Sequence, residues 1–162
     1  MTLVIRPATS ADAAACAAIY APFVTDSWIS FELESPSVAE MARRIASYGA
    51  SHAWLLAEVQ GQVVGYAYGS PHRTRAAYAS SCDVAVYVDP GSSRQAIGRA
   101  LYAALLELLR RNYHAAYAGI ALPNAASVGL HEALGFTPVG IYREVGWKLG
   151  QWRDVGWWQR LL

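Results

Sequence analysis

Between residues 84 and 109 the chain reads VAVYVDPGSSRQAIGRALYAALLELL, where small residues, two arginines and a glutamine separate apolar patterns of different period. Val84, Val86 and Val88 alternate as in a strand, Asp89-Pro90-Gly91 ends it, and Ile97, Leu101, Leu105 and Leu108 recur at helical spacing. A strand that feeds a helix through such a loop presents unpartnered backbone N–H groups at the positive end of the helix dipole. That geometry binds phosphate. Strand alternation groups Asp83 with Ala85 and Tyr87, on the face opposite the valines. Taken alone, Asp83 reads as a strand-end carboxylate, His131 as a helix histidine, Asn124 as a helix cap, and Arg73 and Arg75 as a solvated loop.

Strands and helices alternate around this segment without linker or repeat. Leu3 to Arg6 reads as a strand ended by Pro7. Thr9 with Asp12 resembles a capping box and opens a helix carrying Cys16, Ile19 and Tyr20 on one side until Pro22; Ser37 with Glu40 repeats the device, with Met41 and Ile45 inward. Ala53 to Val59 and Val63 to Tyr68 flank Gln60-Gly61-Gln62, a hairpin signal. After the central strand and helix, Tyr117 to Leu122 reads as a buried strand. Asn124 caps a short helix through Leu134, and Gly135 suits its left-handed end. Val139 to Lys148 and Trp152 to Leu161 read as antiparallel strands joined by Gly150. The predicted order is β-α-α-β-β-β-α-β-α-β-β.

A length of 162 residues fits one domain with a real core, and a hydrophobic fraction of 54% with 15% charged residues excludes disorder. A net charge of +1 gives no support to nucleic-acid binding. Cys16 and Cys82 sit in a helix face and a strand, with no CxxC or Cys/His cluster, so neither a disulfide nor a metal site is expected. With neither a signal sequence nor an apolar run of about 20 residues, a cytoplasmic setting is the default expectation and no membrane partner is expected.

The loop resembles the acyl-CoA signature of the GCN5-related N-acetyltransferases (GNAT), usually Q/R-x-x-G-x-G/A before a helix. Here Ser93-Arg94-Gln95-Ala96-Ile97-Gly98 occupies it; Ser93 replaces the usual Gln or Arg, and Ala96 replaces the first glycine, setting a methyl group where pyrophosphate approaches. The frame Gln95-x-x-Gly98-x-Ala100 satisfies the same expression but shifts the loop by two residues from the strand, and the spacing from Asp89-Pro90 favours the first. Beyond the loop, IRPAT, GSPHRTRAAY, LPNAAS, HEALGF and REVGWKLGQWRDVG together resemble the phosphinothricin and methionine sulfoximine or sulfone acetyltransferase branch, nearly end to end.

That resemblance implies one α/β GNAT domain over residues 1–162, a mixed central sheet with splayed central strands flanked by helices. It implies transfer of an acetyl group from acetyl-CoA to the α-amine of a small glutamate- or methionine-like compound, as in herbicide or antibiotic resistance. Asp83 occupies the position of the branch's general base, where many relatives carry glutamate, and His131 that of a frequent tyrosine in the wider superfamily. An aspartate needs burial or a relaying water to accept an ammonium proton. His131 could instead serve the departing thiolate, or the two roles could be reversed. The resemblance further implies backbone contacts to pantetheine from Val86, Tyr87 and Val88 and polar ones from Asn124 and Ser127. The pyrophosphate would lie along Ser93, Arg94, Gln95, Ala96, Ile97, Gly98 and Arg99. For the acceptor, Arg73, Arg75 and Tyr78 follow the hairpin strand, guanidinium suiting carboxylate or phosphinate, and Phe31 marks an acceptor-pocket aromatic. Trp147, Trp152, Trp157 and Trp158 suggest core and dimer packing, and the branch is typically homodimeric. Acetylation of a protein N-terminus or lysine, or acyl-CoA binding without turnover, are the competing expectations.

Overall fold

Each alternating run becomes a strand and each 3.6-residue recurrence a helix in the computed structural model, which describes residues 2–92 and 94–162, the side chains of Arg94 and Gln95 excepted. The order is β1 (Leu3–Pro7), a 3-10 turn (Ser10–Asp12), α1 (Ala13–Thr25), α2 (Val38–Ser51), β2 (Trp54–Val59), β3 (Gln62–Pro71) and a second 3-10 turn (Ala76–Tyr78). There follow β4 (Ser81–Val88), α3 (Arg94–Leu109), β5 (Ala115–Ala121), α4 (Ala125–Ala133), β6 (Thr137–Lys148) and β7 (Gln151–Leu161). The expected order of elements is the observed one.

The strands form one sheet in the order β1-β2-β3-β4-β5-β7-β6, antiparallel throughout except between β4 and β5. Because successive side chains of a strand point to opposite faces, β2 supplies both cores. Leu55 and Ala57 join Leu101, Leu105 and Leu109 of α3, while Trp54 and Leu56 join Cys16 of α1 and Met41 and Ile45 of α2. Both cysteines are buried and free, and burial pushes their thiols up to about 12. Among the described residues no helix is long and apolar enough to cross a membrane.

Local signals set most boundaries. Asp12 accepts from the Thr9 backbone N–H at 2.8 Å and Ser37 Oγ accepts from Glu40 N–H at 3.1 Å, so both predicted helix starts carry their caps. Gln60 and Gly61 both adopt positive φ, 53° and 76°, which closes the β2–β3 hairpin in two residues with the twist its strands require. Leu149 and Gly150 do the same between β6 and β7. Several boundaries differ from expectation, among them β3, which runs on past Tyr68 to Pro71. α1 runs through Pro22 to Thr25, because proline forfeits only its own donor bond while its carbonyl still accepts from Asp26 N–H at 2.9 Å. β5 begins two residues early, where its ladder to β7 starts at Ala115 and Leu161. β6 starts at Thr137, paired with Gln159, so Pro138 lies inside a strand at the sheet's edge, where it removes no inner bond.

The central feature is where β4 and β5 stop pairing. Their register covers only Ser81 to Asp83 against Ala115 to Tyr117. Beyond that point β4 follows β3 as far as Val88, opposite Gly65, and β5 follows β7 as far as Ala121, opposite Val155. The sheet therefore parts in its middle, and the β5-facing backbone groups of β4 after Asp83 have no strand partner.

Candidate active site

Three cavities meet at the split. A gap of about 60 Å³ lies between the parted strands, walled by Val84, Val86, Ala118, Ile120, Tyr102 and His131. On one side it opens into a cleft of about 580 Å³ that holds Asp83, Phe31, Glu32, Ser70 and Trp157. On the other it continues as an apolar groove of about 240 Å³ along Val86, Val88, Gly98, Ala126, Ser127 and Leu130. Ile29 and Tyr87 border all three, so the cavities adjoin one another along the split.

Asp83 sits at the apex of the parting, the last residue of β4 to pair with β5. Its side chain is 29% exposed, and one oxygen lies 2.6 Å from His72 Nδ1. Burial pushes its carboxyl upward; the His72 hydrogen bond and the Arg73 charge pull the other way without overcoming it. A carboxylate so placed is a better proton acceptor than an exposed aspartate.

His131 lies under the gap, 3% exposed, with both ring nitrogens engaged. Nδ1 is 2.7 Å from the Ser127 carbonyl, which can only accept, so Nδ1 carries the proton and Nε2 accepts the Tyr102 hydroxyl at 2.9 Å. Burial lowers the imidazole's affinity for a second proton and raises the Tyr102 phenol well above its ordinary value, which favours the neutral form of each. The Nε2 lone pair is already occupied, whereas Asp83 faces the cleft.

On the groove side, Asn124 caps α4 by accepting from Ser127 N–H at 3.2 Å and stands with Ser127 on the wall of both gap and groove. The unpaired edge of β4 and the apolar groove suit a linear arm of amides and methylenes. Val86, Tyr87 and Val88 all border that groove. Of the loop residues, Ser93 lies outside the described residues, as do the side chains of Arg94 and Gln95. Ala96 and Arg99 are exposed. The Ile97 side chain is buried in the α3 core, which leaves only its backbone for a ligand. Gly98 lets α3 approach α4 closely, since a Cβ there would meet Leu130 Cδ2 at 3.1 Å.

On the cleft side, Phe31 belongs to the segment between α1 and α2, which is fastened from three directions. Trp28 Nε1 donates to the Pro123 carbonyl at 3.1 Å, buried Lys148 Nζ donates to the Ser30 and Glu32 carbonyls, and Arg44 grips the Glu32 carboxylate at 2.6 and 3.0 Å. Arg73, Arg75 and Tyr78 are exposed beside the cleft rather than on its wall. Patterning of the sequence did not single out His72, Tyr102, Lys148 or Trp157 as parts of this site. Tyr102 falls on the inward face of α3 and reads as core; the others reach the site only through strand register.

The family described as Acetyltransferase (GNAT) domain matches residues 5–157. Phosphinothricin N-acetyltransferase of Streptomyces viridochromogenes is 40% identical over 157 residues, 96% of this chain and 86% of its own. The L-methionine sulfoximine/L-methionine sulfone acetyltransferase of Salmonella typhimurium is 33% identical over 165 residues, 99% of this chain and 95% of its own. Among solved structures, a GNAT superfamily phosphinothricin acetyltransferase from Sinorhizobium meliloti in complex with AcCoA superposes with a TM-score of 0.95 at 33% identity, covering 100% of this chain and 89% of its own.

Proposed function

The chain belongs to the GNAT family of acetyl-CoA-dependent N-acetyltransferases, and from that premise we propose that it acetylates the α-amine of a small glutamate- or methionine-like compound by direct attack in a ternary complex. The observation that carries this reading is the parted sheet, with Asp83 at its apex in a cleft of about 580 Å³ and an apolar groove on the far side of the gap. That volume lies within the range of small-molecule pockets.

The acceptor's ammonium must lose a proton before its nitrogen has a lone pair. Asp83 takes it. The nitrogen then forms a bond to the thioester carbonyl carbon, the C–S bond breaks, and the nitrogen sheds its second proton. One proton goes to the departing thiolate and one to solvent. Backbone N–H groups on the free edge of β4 face the developing oxyanion. His131 and Tyr102 line the gap from which the thiolate departs, and the Tyr102 hydroxyl, released from Nε2, is the pair's donor to it. The engaged Nε2 of His131 argues against the reversed assignment in which it is the base. Asn124, Ser127 and residues 86–88 hold the pantetheine arm, and the loop from Ser93 to Arg99 holds the pyrophosphate. Arg73 and Arg75, exposed in the segment that follows β3 with Tyr78, are the cations for the acceptor's acidic group, and Phe31 lines the cleft.

The apolar residues exposed on the terminal hairpin, Val139, Ile141, Val145, Trp147 and Trp152, support a homodimer formed through this face, which sedimentation of the purified protein would measure. The acceptor is tested by thiol release from acetyl-CoA with phosphinothricin, methionine sulfoximine, methionine sulfone and a control peptide, each repeated with Asp83→Ala. Turnover on the amino acids that collapses in the variant is the expected result. Turnover on the peptide alone would move the reading to protein acetylation, and acetyl-CoA binding without thiol release on any acceptor would move it to a non-catalytic module.

A further inference from the structure

Asp83 is held by a residue of the GSPHRTRAAY segment to which the sequence gives no role. His72 directly follows β3, and the pairing of Pro71 with Cys82 brings it beside Asp83 on the neighbouring strand. Its Nδ1 lies 2.6 Å from Asp83 Oδ1. An ionised carboxylate only accepts, so Nδ1 donates. The imidazole has little freedom: it stacks on Tyr117 at 4.4 Å and meets the edges of Trp157 at 5.7 Å and Tyr78 at 6.0 Å. Tyr117 is itself the cross-strand partner of Asp83, and its hydroxyl accepts from Gln159 Nε2 at 2.8 Å. A chain of contacts thus runs from β7 through Tyr117 and His72 to one carboxylate oxygen.

We propose that His72 is a positioning residue for the base: it occupies Oδ1 of Asp83 and leaves Oδ2 as the one oxygen presented to the acceptor's ammonium. The proposal rests on the reading of Asp83 as base. It differs from merely filling space, because the donated hydrogen bond stabilises the carboxylate against burial, and among the influences on Asp83 it is the largest that acts in that direction. Among the described residues, the other charged or titratable groups around Asp83 are its neighbour Cys82, Arg73 beside His72, Tyr78 from the 3-10 turn, Tyr117 from β5, Tyr20, Tyr68 and Tyr87 on the cleft, and Glu32 across it, paired with Arg44. Among the described residues none of these hydrogen-bonds to the carboxylate. Without the imidazole the carboxyl rises further. Activity that needs the ionised form is present above that pKa and lost as pH falls through it, so the acid limb moves to higher pH.

The test compares pH profiles of kcat/KM for the acceptor in wild type, His72→Asn, His72→Phe and Asp83→Asn. Phenylalanine keeps the stack on Tyr117 and loses the donor; asparagine loses the ring and keeps a donor at the place of Nδ1. His72→Leu repeats the loss of the donor should phenylalanine not be accommodated. The expected result is an acid limb displaced to higher pH and a loss of about tenfold or more at pH 7 in His72→Phe. His72→Asn recovers the wild-type limb with a rate within about threefold, and KM for acetyl-CoA is unchanged in both. A wild-type limb and rate in His72→Phe overturns the proposal, as does His72→Asn as impaired as His72→Phe. Failure of the underlying reading looks different: Asp83→Asn then keeps wild-type turnover whatever His72 carries.

Discussion

Replacing Gly146 with alanine tests whether Phe31 shapes the acceptor cleft. Gly146 lies on β6 against the Phe31 ring, and a Cβ built there would overlap Cε2 and stand 2.8 Å from Cζ and 3.0 Å from Cδ2. Ordinary van der Waals contact begins near 3.4 Å, so the ring must retreat by roughly 1 Å. The ring has somewhere to go, because Phe31 is 39% exposed, and the glycine's φ is not in the left-handed region. Stability therefore falls by only about 1 kcal/mol, the low end for overpacking, or roughly 2–4 °C in Tm. The acceptor wall, by contrast, moves by a distance that can cost up to about 100-fold when it misplaces a reacting group. Steady-state kinetics with the best acceptor should show kcat/KM reduced about 10- to 100-fold with KM for acetyl-CoA unchanged, since the groove lies beyond the gap. Phe31→Leu in the Gly146→Ala background relieves the overlap and should recover part of the loss, giving a coupling measurable in a double-mutant cycle. Acceptor kinetics unchanged by Gly146→Ala would refute the reasoning and detach Phe31 from the acceptor.

Tyr102→Phe removes the only partner that His131 Nε2 has among the described residues and leaves a buried acceptor unpaired, so the protein should lose about 1–3 kcal/mol by thermal or urea melting. On the proposed role of the pair at the thiolate, kcat in the same variant should fall while acceptor KM stays within about twofold. Arg6 holds the Asp12 carboxyl down to about 2 through paired contacts at 2.7 and 2.9 Å. Because the folded value lies below the unfolded one, this stabilisation is complete above about pH 4 and disappears as pH falls toward 2. Asp12→Asn should therefore cost about 1–2 kcal/mol at pH 7, a figure reduced for the partial exposure of Arg6, and melting curves of the two proteins should converge near pH 2.

The elements were legible because each carries a local signal of its own. The valines at 84, 86 and 88, the serine at 37 and the turn glycine at 61 act through neighbours in the chain, and their consequences can be read without knowing what lies across the sheet. The passage of α1 through Pro22 was not legible in that way, since it turns on a carbonyl bond that only a completed helix reveals. Within the site, Asp83, His131 and Asn124 belong to contiguous motifs. His72 lies in GSPHRTRAAY, but nothing in that segment points to it as part of the site: it is one residue past a strand, and its partner stands 11 positions away on the next strand. Tyr102 hid for another reason, because a tyrosine at an inward helix position reads as packing, and only the meeting of α3 with α4 turns its hydroxyl toward His131. Lys148 reaches back 118 residues to Ser30, a distance over which no pattern in the chain carries information.

A seven-stranded open sheet ordinarily has two outer edges, here β1 and β6. Ceasing to pair after three residues, β4 and β5 add two more in the interior. An unpaired edge is a template for another chain, and proteins blunt such edges with charge, proline, bulges or a covering element. Here the covering is spatial: Ile29, Tyr102 and His131 confine the opening to about 60 Å³, too narrow for a whole β-strand with its side chains. What can lie along it is a thin chain whose amides mimic a strand and whose flanks are bare methylenes. The same narrowness separates ligand recognition from aggregation. It also leaves a signature for hydrogen exchange: amides on the gap side of β4 should exchange as edge amides in the free protein and as central-sheet amides once acetyl-CoA fills the gap.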